Sequence, residues 1–137
     1  MTTLAINWKR IPWRELNYVE NSYFYMYITN KKPIYIGVSY KQHIVDEIYQ
    51  TLESFNYRQV EISLYIGYIQ YGKSTIEKIS KELVKDSECL LIYCNQPRDN
   101  IQCKKNYTGR DNLKVICNGT SYLYKVQNCQ NKQILVR

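Results

Sequence analysis

No stretch of this sequence approaches the roughly 20 consecutive apolar residues that a membrane-spanning helix needs. The N-terminus does not resemble a secretory signal peptide, because Trp8, Lys9 and Arg10 interrupt it early. No Cys-x-x-Cys pair occurs, and His43 is the only histidine, so the usual ligands of a zinc site are missing. These absences predict a cytoplasmic protein that neither enters a membrane nor holds zinc.

A disulfide framework also has little support. The chain has 5 cysteines, an odd number, and their spacing matches no compact secreted scaffold. We therefore expect reduced thiols at all of them, in keeping with a cytoplasmic location. The cysteines are Cys89, Cys94, Cys103, Cys117 and Cys129.

The composition is that of one folded domain with a positive charge. Hydrophobic residues make up 45% and charged residues 23% of 137 residues, which argues against extensive disorder. The net charge of +7 suits a polyanionic partner without requiring one. Tyr occurs 15 times against 2 Phe and 2 Trp, and a tyrosine packs like Phe while keeping a hydroxyl for hydrogen bonding.

The pattern of apolar residues predicts an α+β domain. Residues 23–28 and 33–38 are β-rich runs around a polar turn, which is typical of a hairpin. Residues 41–55 carry apolar side chains at helical spacing, and residues 61–69 alternate as a strand does. Ahead of them, residues 1–20 read as a lead-in segment that packs across an edge of the core.

The second half predicts two helices and two strands. A capping box formed by Ser74 and Glu77 predicts a helix start there, and Asp86 or Ser87 could begin a second helix over residues 88–94. Residues 113–117 and 122–126 read as strands. The predicted organisation is one domain over residues 1–137: the lead-in at 1–20, a core at 21–112 and a C-terminal β extension at 113–137.

Several short motifs resemble those of the GIY-YIG nuclease family, which includes homing, repair and restriction enzymes. The residues that carry the resemblance are Tyr23-Phe24-Tyr25, Lys32-Pro33-Ile34-Tyr35-Ile36-Gly37, Glu88 and, after a proline, Asn100. This likeness spans roughly residues 20–118 and implies a small, mainly antiparallel sheet flanked by helices.

The resemblance implies a metal-dependent DNA endonuclease with no small-molecule cofactor. Tyr25 and Tyr35 would orient or deprotonate a water, Glu88 would hold Mg²⁺ or Mn²⁺, and Asn100 would brace the site. The chemistry is reasonable for these residue types, because phosphodiester hydrolysis needs a placed water and positive charge on the phosphoryl oxygens.

One departure from the family pattern concerns this positive charge. The family carries an arginine on the helix after the Tyr-Ile-Gly motif, and the matching position here is Val45. Lys41 and His43 are the nearest candidates to replace it. A chain without that cation could instead be a weakened family member that binds nucleic acid or a protein without cleaving. A small-molecule-binding protein with a tyrosine-rich cleft is a third class.

A run of basic residues follows the predicted site and could track a phosphate backbone. The residues expected to bind nucleic acid are Arg98, Lys104, Lys105 and Arg110. The oligomeric state is left open by the sequence.

Overall fold

The computed structural model describes residues 1–123 in full and the backbone of residues 125–129 and 132–136. The elements in chain order are β1 (Thr2–Ile11), β2 (Phe24–Thr29), β3 (Lys32–Val38), α1 (Ile44–Ser54), β4 (Ser63–Ile69), α2 (Lys81–Asn95), β5 (Leu113–Asn118), β6 (Lys125–Cys129) and β7 (Lys132–Val136). No helix among the described residues is both long and apolar enough to cross a bilayer.

The strands form one sheet in the order β3-β2-β4-β1-β5-β6-β7. Only β1 and β5 pair in parallel, and the other neighbours are antiparallel. The predicted α+β class with a mainly antiparallel sheet is therefore confirmed. The sheet ends at β3 on one side, so β3 is an edge strand.

The N-terminal segment differs from the lead-in expected at residues 1–20. Thr2–Ile11 is an interior strand that pairs with β4 on one side and β5 on the other. Leu4, Ile6 and Trp8 are almost fully buried, so they are core residues rather than an edge covering. After β1 comes a short 3-10 turn at Trp13–Tyr18, whose Leu16 is also buried.

The two helices cover opposite faces of the sheet. Phe24 and Met26 of β2 lie in one apolar cluster with residues of α2, whereas the alternate Tyr25 and Tyr27 lie in a second cluster with residues of α1. This division follows from the two-residue period of a strand, which sends successive side chains to opposite faces.

The predicted hairpin is confirmed as β2 and β3, which pair antiparallel. Asn30 and Lys31 of its turn have φ values of 51° and 62°, the left-handed conformation that a tight hairpin turn requires. The predicted helix at 41–55 and strand at 61–69 are also present, as α1 and β4.

The predictions for residues 74–94 are wrong in detail. Ser74 begins no helix, since its hydroxyl accepts a hydrogen bond from the Ala5 amide and donates to the Gln70 carbonyl. One helix, α2, replaces the two expected, and its N-cap is Ser80, whose hydroxyl accepts from the Leu83 amide. Asp86 and Ser87 lie inside α2 rather than capping a helix.

In the C-terminal part, β5 matches the strand predicted at 113–117. The strand predicted at 122–126 begins later, at Lys125 in β6, and β7 adds a strand that the sequence pattern did not predict.

Candidate functional site

Tyr25 and Tyr35 come together on neighbouring strands of the hairpin. Tyr25 pairs with Gly37 across the strands, and its ring lies over that glycine, where an added Cβ would be 2.8 Å from Cε1. The ring centroids of Tyr25 and Tyr35 are 6.1 Å apart. Gly37 thus makes room for Tyr25 beneath the more exposed Tyr35.

The Tyr25 hydroxyl is buried and has no hydrogen-bond partner among the described residues. Burial raises the pKa of Tyr25 far above its usual range, and the nearby Thr51 hydroxyl offsets only part of this. Burial, followed by the charges of Glu88 and Glu47, also raises the pKa of Tyr35. Both side chains therefore carry a proton at neutral pH, and each hydroxyl is able to donate a hydrogen bond.

Tyr35, Glu88 and Asn100 line one cavity of about 190 Å³, together with Phe55 of the α1 C-cap and Asp99. Glu88 and Ile92 belong to α2, whose apolar residues pack on the face opposite Tyr35. The cavity therefore lies at the outer edge of β3, where residues from both faces of the sheet meet. This brings together three of the residues predicted from the sequence, with Tyr25 packed against Tyr35.

Glu88 is the most perturbed carboxyl group of this cavity. Burial raises its pKa to about 7, Glu47 adds to the rise and Lys85 opposes it. No ion pair of the described residues includes Glu88, because these pairs join Arg58 to Glu61, Arg98 to Asp99 and Arg110 to Asp86. A half-buried carboxylate that faces a cavity and has no paired cation is suited to bind one.

Asn100 holds the outer edge of β3 through two hydrogen bonds. Its Oδ1 accepts a hydrogen bond from the Ile36 amide at 2.9 Å, and its Nδ2 donates to the Ile36 carbonyl at 2.9 Å. The Asp99 amide donates to the Ile34 carbonyl in the same way. Residues 99 and 100 thus satisfy the outer backbone groups of β3 on either side of Tyr35.

A disulfide between Cys89 and Cys103 fastens the loop that carries Asn100 to helix α2. The expectation that all thiols are reduced is therefore wrong. The pairing was not visible in the sequence because the two cysteines are 14 residues apart and meet only when the loop folds back on α2. Cys89 follows Glu88 directly, and Cys103 lines the same cavity.

The two cations expected to replace the family arginine are placed elsewhere. Lys41 and His43 are both exposed, and neither lines the cavity of Tyr35 and Glu88. His43 is the N-cap of α1, and its Nδ1 accepts a hydrogen bond from the Val45 amide. Val45 is buried in the α1 cluster, with 6% of its surface exposed, so its position does not offer a site for a charge.

Glu47 is the charged residue of α1 that acts on this region, and sequence reasoning missed it. Its charge raises the pKa of Tyr25, Tyr27, Tyr35 and Glu88. The available signal was its spacing: Glu47 and Thr51 are four residues apart on one helix, and the Thr51 hydroxyl bonds the Tyr27 hydroxyl at 2.5 Å. The family arginine corresponds to Val45, two residues before Glu47, so the family pattern did not indicate Glu47.

The predicted nucleic-acid-binding residues differ in whether their charges are paired with acidic side chains. Arg98 forms a two-point ion pair with Asp99, at 3.0 and 2.9 Å, and Arg110 pairs with Asp86 at 2.7 Å. Lys105 is exposed, and Lys104 is half-buried with its Nζ 3.5 Å from the Arg98 carbonyl. The two arginines are thus partly neutralised by acidic neighbours.

A divalent cation at this cavity would need oxygen donors. The described residues contain no group of three or more His, Cys, Asp or Glu side chains arranged around a metal position. Mg²⁺, however, takes few protein carboxylates and keeps several waters. Glu88 offers this cavity one hard carboxylate donor, which fits such an ion.

Comparisons of the chain with family models, with curated proteins and with solved structures return no match. The function of this chain is therefore inferred from the geometry of the site itself.

Proposed function

We propose that this protein is a GIY-YIG-like, metal-dependent endonuclease that hydrolyses phosphodiester bonds in DNA. The observation that supports the proposal is the shared cavity of Tyr35, Glu88 and Asn100, with the Tyr25 hydroxyl buried against Tyr35. The hairpin alone brings Tyr25 and Tyr35 together, whereas Glu88 and Asn100 come from α2 and the loop after it, more than 50 residues later.

Glu88 would hold the cation, Mg²⁺ or Mn²⁺, through its carboxylate. When bound, the ion would supply positive charge for the phosphoryl oxygens and favour ionisation of a water. Because the Glu88 pKa is about 7, loading of the ion should improve as Glu88 ionises.

Tyr35 would position water and phosphate rather than take up a proton, and Tyr25 would support it from beneath. Their raised pKa values keep both hydroxyls protonated, so Tyr35, which lines the cavity, can donate a hydrogen bond to a phosphoryl oxygen or to the attacking water. Asn100 acts on the site through β3, because its amide holds the backbone on the strand that carries Tyr35.

A second candidate function is binding of DNA without cleavage, and one observation favours it. The charged side chain that α1 contributes near the tyrosines is Glu47, and the position that matches the family arginine is the uncharged Val45. An unneutralised carboxylate repels a phosphate, so a site without that arginine would hold a reacting phosphate only with the help of a cation.

The test is nicking of supercoiled and branched DNA in Mg²⁺, Mn²⁺ or chelator. Wild type should cut only with the metal. Tyr35→Phe should lower the rate about 100-fold, as loss of one placed donor commonly does, and the exposed Tyr71→Phe serves as the matched control. If the protein binds DNA but does not cut it in any of these conditions, the nuclease function is rejected and the binding function is supported.

Glu47→Gln separates the two candidate functions further. If Glu47 only repels the phosphate, removal of its charge should raise the cutting rate. If the wild-type chain binds DNA but does not cut it and Glu47→Gln cuts, the chain is a disarmed nuclease. If neither wild type nor Glu47→Gln cuts DNA, the binding function is favoured.

A further inference from the structure

The edge of β3 carries three neighbouring cavities, called the trough here, that extend well beyond the Glu88 cavity. The second cavity, of about 360 Å³, shares Phe55 and Asp99 with the first. The third, of about 470 Å³, shares Thr29, Ile34 and Arg98 with the second. The three therefore follow one another along the strand, from Tyr35 at one end to the hairpin turn at the other.

The middle of the trough is aromatic. The Phe55 ring lies 5.0 Å from that of Tyr35 and is stacked on Tyr57 at 5.2 Å, with an angle of 16° between the planes. Phe55 is 37% exposed despite these contacts. The Tyr57 hydroxyl donates a hydrogen bond to Asp99, which fixes the ring. A preformed ring surface of this kind suits a flat, unsaturated ligand.

The far end is basic. Lys31, Lys32 and Arg98 line the third cavity, and no acidic side chain among the described residues does. Lys31 and Lys32 are exposed and stand outside the ion pairs of the described residues, whereas Arg98 is paired with Asp99. Two uncompensated positive charges therefore sit on the hairpin turn, whose conformation is set by Asn30 and Lys31.

We propose that this trough binds a single-stranded segment of nucleic acid, with a base on Phe55 and phosphates at Lys31 and Lys32. Aromatic rings interleaved with cations are the common solution for single strands, because every unpaired base exposes a face for stacking. A duplex covers these faces, and an acidic peptide does not supply a ring and an anion at every unit as a nucleic acid strand does. The proposal rests on the proposed function only in placing the reacting phosphate near Glu88.

From Lys32 to Tyr35 the strand advances three residues, which is about 10 Å at the usual rise. The hairpin turn thus lies close enough to the Glu88 cavity for a short single-stranded flank to reach both. The inferred substrate is DNA with an unpaired segment next to the cleavage point.

The binding test uses a labelled 12-nucleotide oligothymidine in chelator, with affinity read by fluorescence anisotropy at several salt concentrations. Lys31→Asn combined with Lys32→Gln should weaken binding at least tenfold and flatten the log–log salt slope by about 1.4, or 0.7 for each lost phosphate contact. Asparagine is chosen at position 31 because it tolerates the left-handed turn. Lys73→Gln with Lys78→Gln, both exposed and outside the trough, is the matched control.

Phe55→Leu should weaken binding at least fivefold with the salt slope unchanged, because stacking rather than charge is lost. Circular dichroism and thermal melting check that each variant is folded. Four results would each overturn the proposal. The first two are an equal loss of affinity in the Lys73 and Lys78 control and an unchanged affinity in Phe55→Leu. The other two are tighter binding of duplex than of single strand and equal competition by polyglutamate.

The two proposals can fail separately. If binding depends on Lys31, Lys32 and Phe55 but the protein never cuts DNA, single-strand binding at the trough is supported and the nuclease function is rejected. If the protein cuts DNA with metal and substitution of these three residues changes neither binding nor cutting, the binding proposal is rejected and the nuclease function is supported.

Discussion

At the scale of single residues, the site combines groups whose burial opposes their ionised forms. Glu88, Tyr25 and Tyr35 all have raised pKa values, with burial as the largest cause in each. At neutral pH only Glu88 reduces the stability of the protein in this way, because the tyrosines are protonated in the folded and the unfolded chain alike. The effect can be measured without knowing the ligand.

For Glu88, stability should fall as pH rises from the carboxyl group's ordinary pKa of 4.5 to about 7. In this window the unfolded chain has released the proton that the folded chain still holds, so ionisation favours unfolding. Glu88→Gln should abolish this part of the decline, and at pH 8 it should gain on the order of 3 kcal/mol over wild type. Urea unfolding at pH 4.5, 6 and 8 measures it.

The exposed Glu82→Gln on the same helix provides the comparison and should keep the wild-type decline. A Glu88→Gln variant with the same pH dependence as wild type would mean that Glu88 is solvated, contrary to its place in the cavity.

Gly37 gives a second residue-scale prediction. An alanine there would force its Cβ into the Tyr25 ring, so Gly37→Ala should lower the free energy of unfolding by about 1–3 kcal/mol. Gly72, with nothing within 4 Å of a Cβ, is the matched site, and Gly72→Ala should stay within about 0.5 kcal/mol of wild type. Equal effects at both glycines would contradict the close packing of Tyr25.

The sequence led to Tyr35, Glu88 and Asn100 because each lies in a recognisable motif, but it did not lead to Glu47. Which α1 side chain faces the tyrosines depends on the rotation of the helix against the sheet, and this is set by the burial of Val45 and Ile48. Lys41 and His43 were proposed from proximity in the sequence alone. The cap that His43 provides for α1 occupies its Nδ1.

At the scale of elements, the edge strand β3 depends on its loop as much as on β2. The Asn100 amide supplies both hydrogen bonds to Ile36. Asn100→Ala should leave this buried amide and carbonyl without partners and cost about 2–4 kcal/mol. Hydrogen exchange read at Ile36 should speed up more than at Ile66 in central β4. Unchanged protection of Ile36 would show that the loop does not support the strand.

Local pattern identified the hairpin, α1 and β4, because their pairing or amphipathic spacing is contained in a short window. It did not identify β1 as an interior strand, because that role depends on parallel pairing with β5, more than a hundred residues away. It also misassigned Ser74, whose hydroxyl satisfies the Ala5 amide of β1 instead of a helix end. Long-range partners decided both cases.

At the scale of the whole molecule, the Cys89–Cys103 disulfide joins the site loop to α2 and closes a loop of about 15 residues. A loop of that length is worth roughly 3 kcal/mol of stability. Wild type should therefore unfold at lower urea concentration when reduced, whereas Cys89→Ala with Cys103→Ala should respond to reductant little or not at all. Denatured, unreduced wild type should show two fewer reactive thiols than the reduced protein; equal thiol counts would contradict the pairing.

The positive net charge of the molecule and the lysines of the trough both favour a nucleic acid as the partner. Whether the molecule cuts that partner depends on a cation held by Glu88. The most direct measurement is the rate of DNA nicking between pH 5.5 and 9 at a Mn²⁺ concentration below half-saturation. The tyrosines stay protonated across this range, so the rate should rise about tenfold per pH unit below 7 and level off above it, following the pKa of Glu88. Glu88→Gln, folded, should not cut at any pH, and cutting by this variant at the wild-type rate would contradict the account.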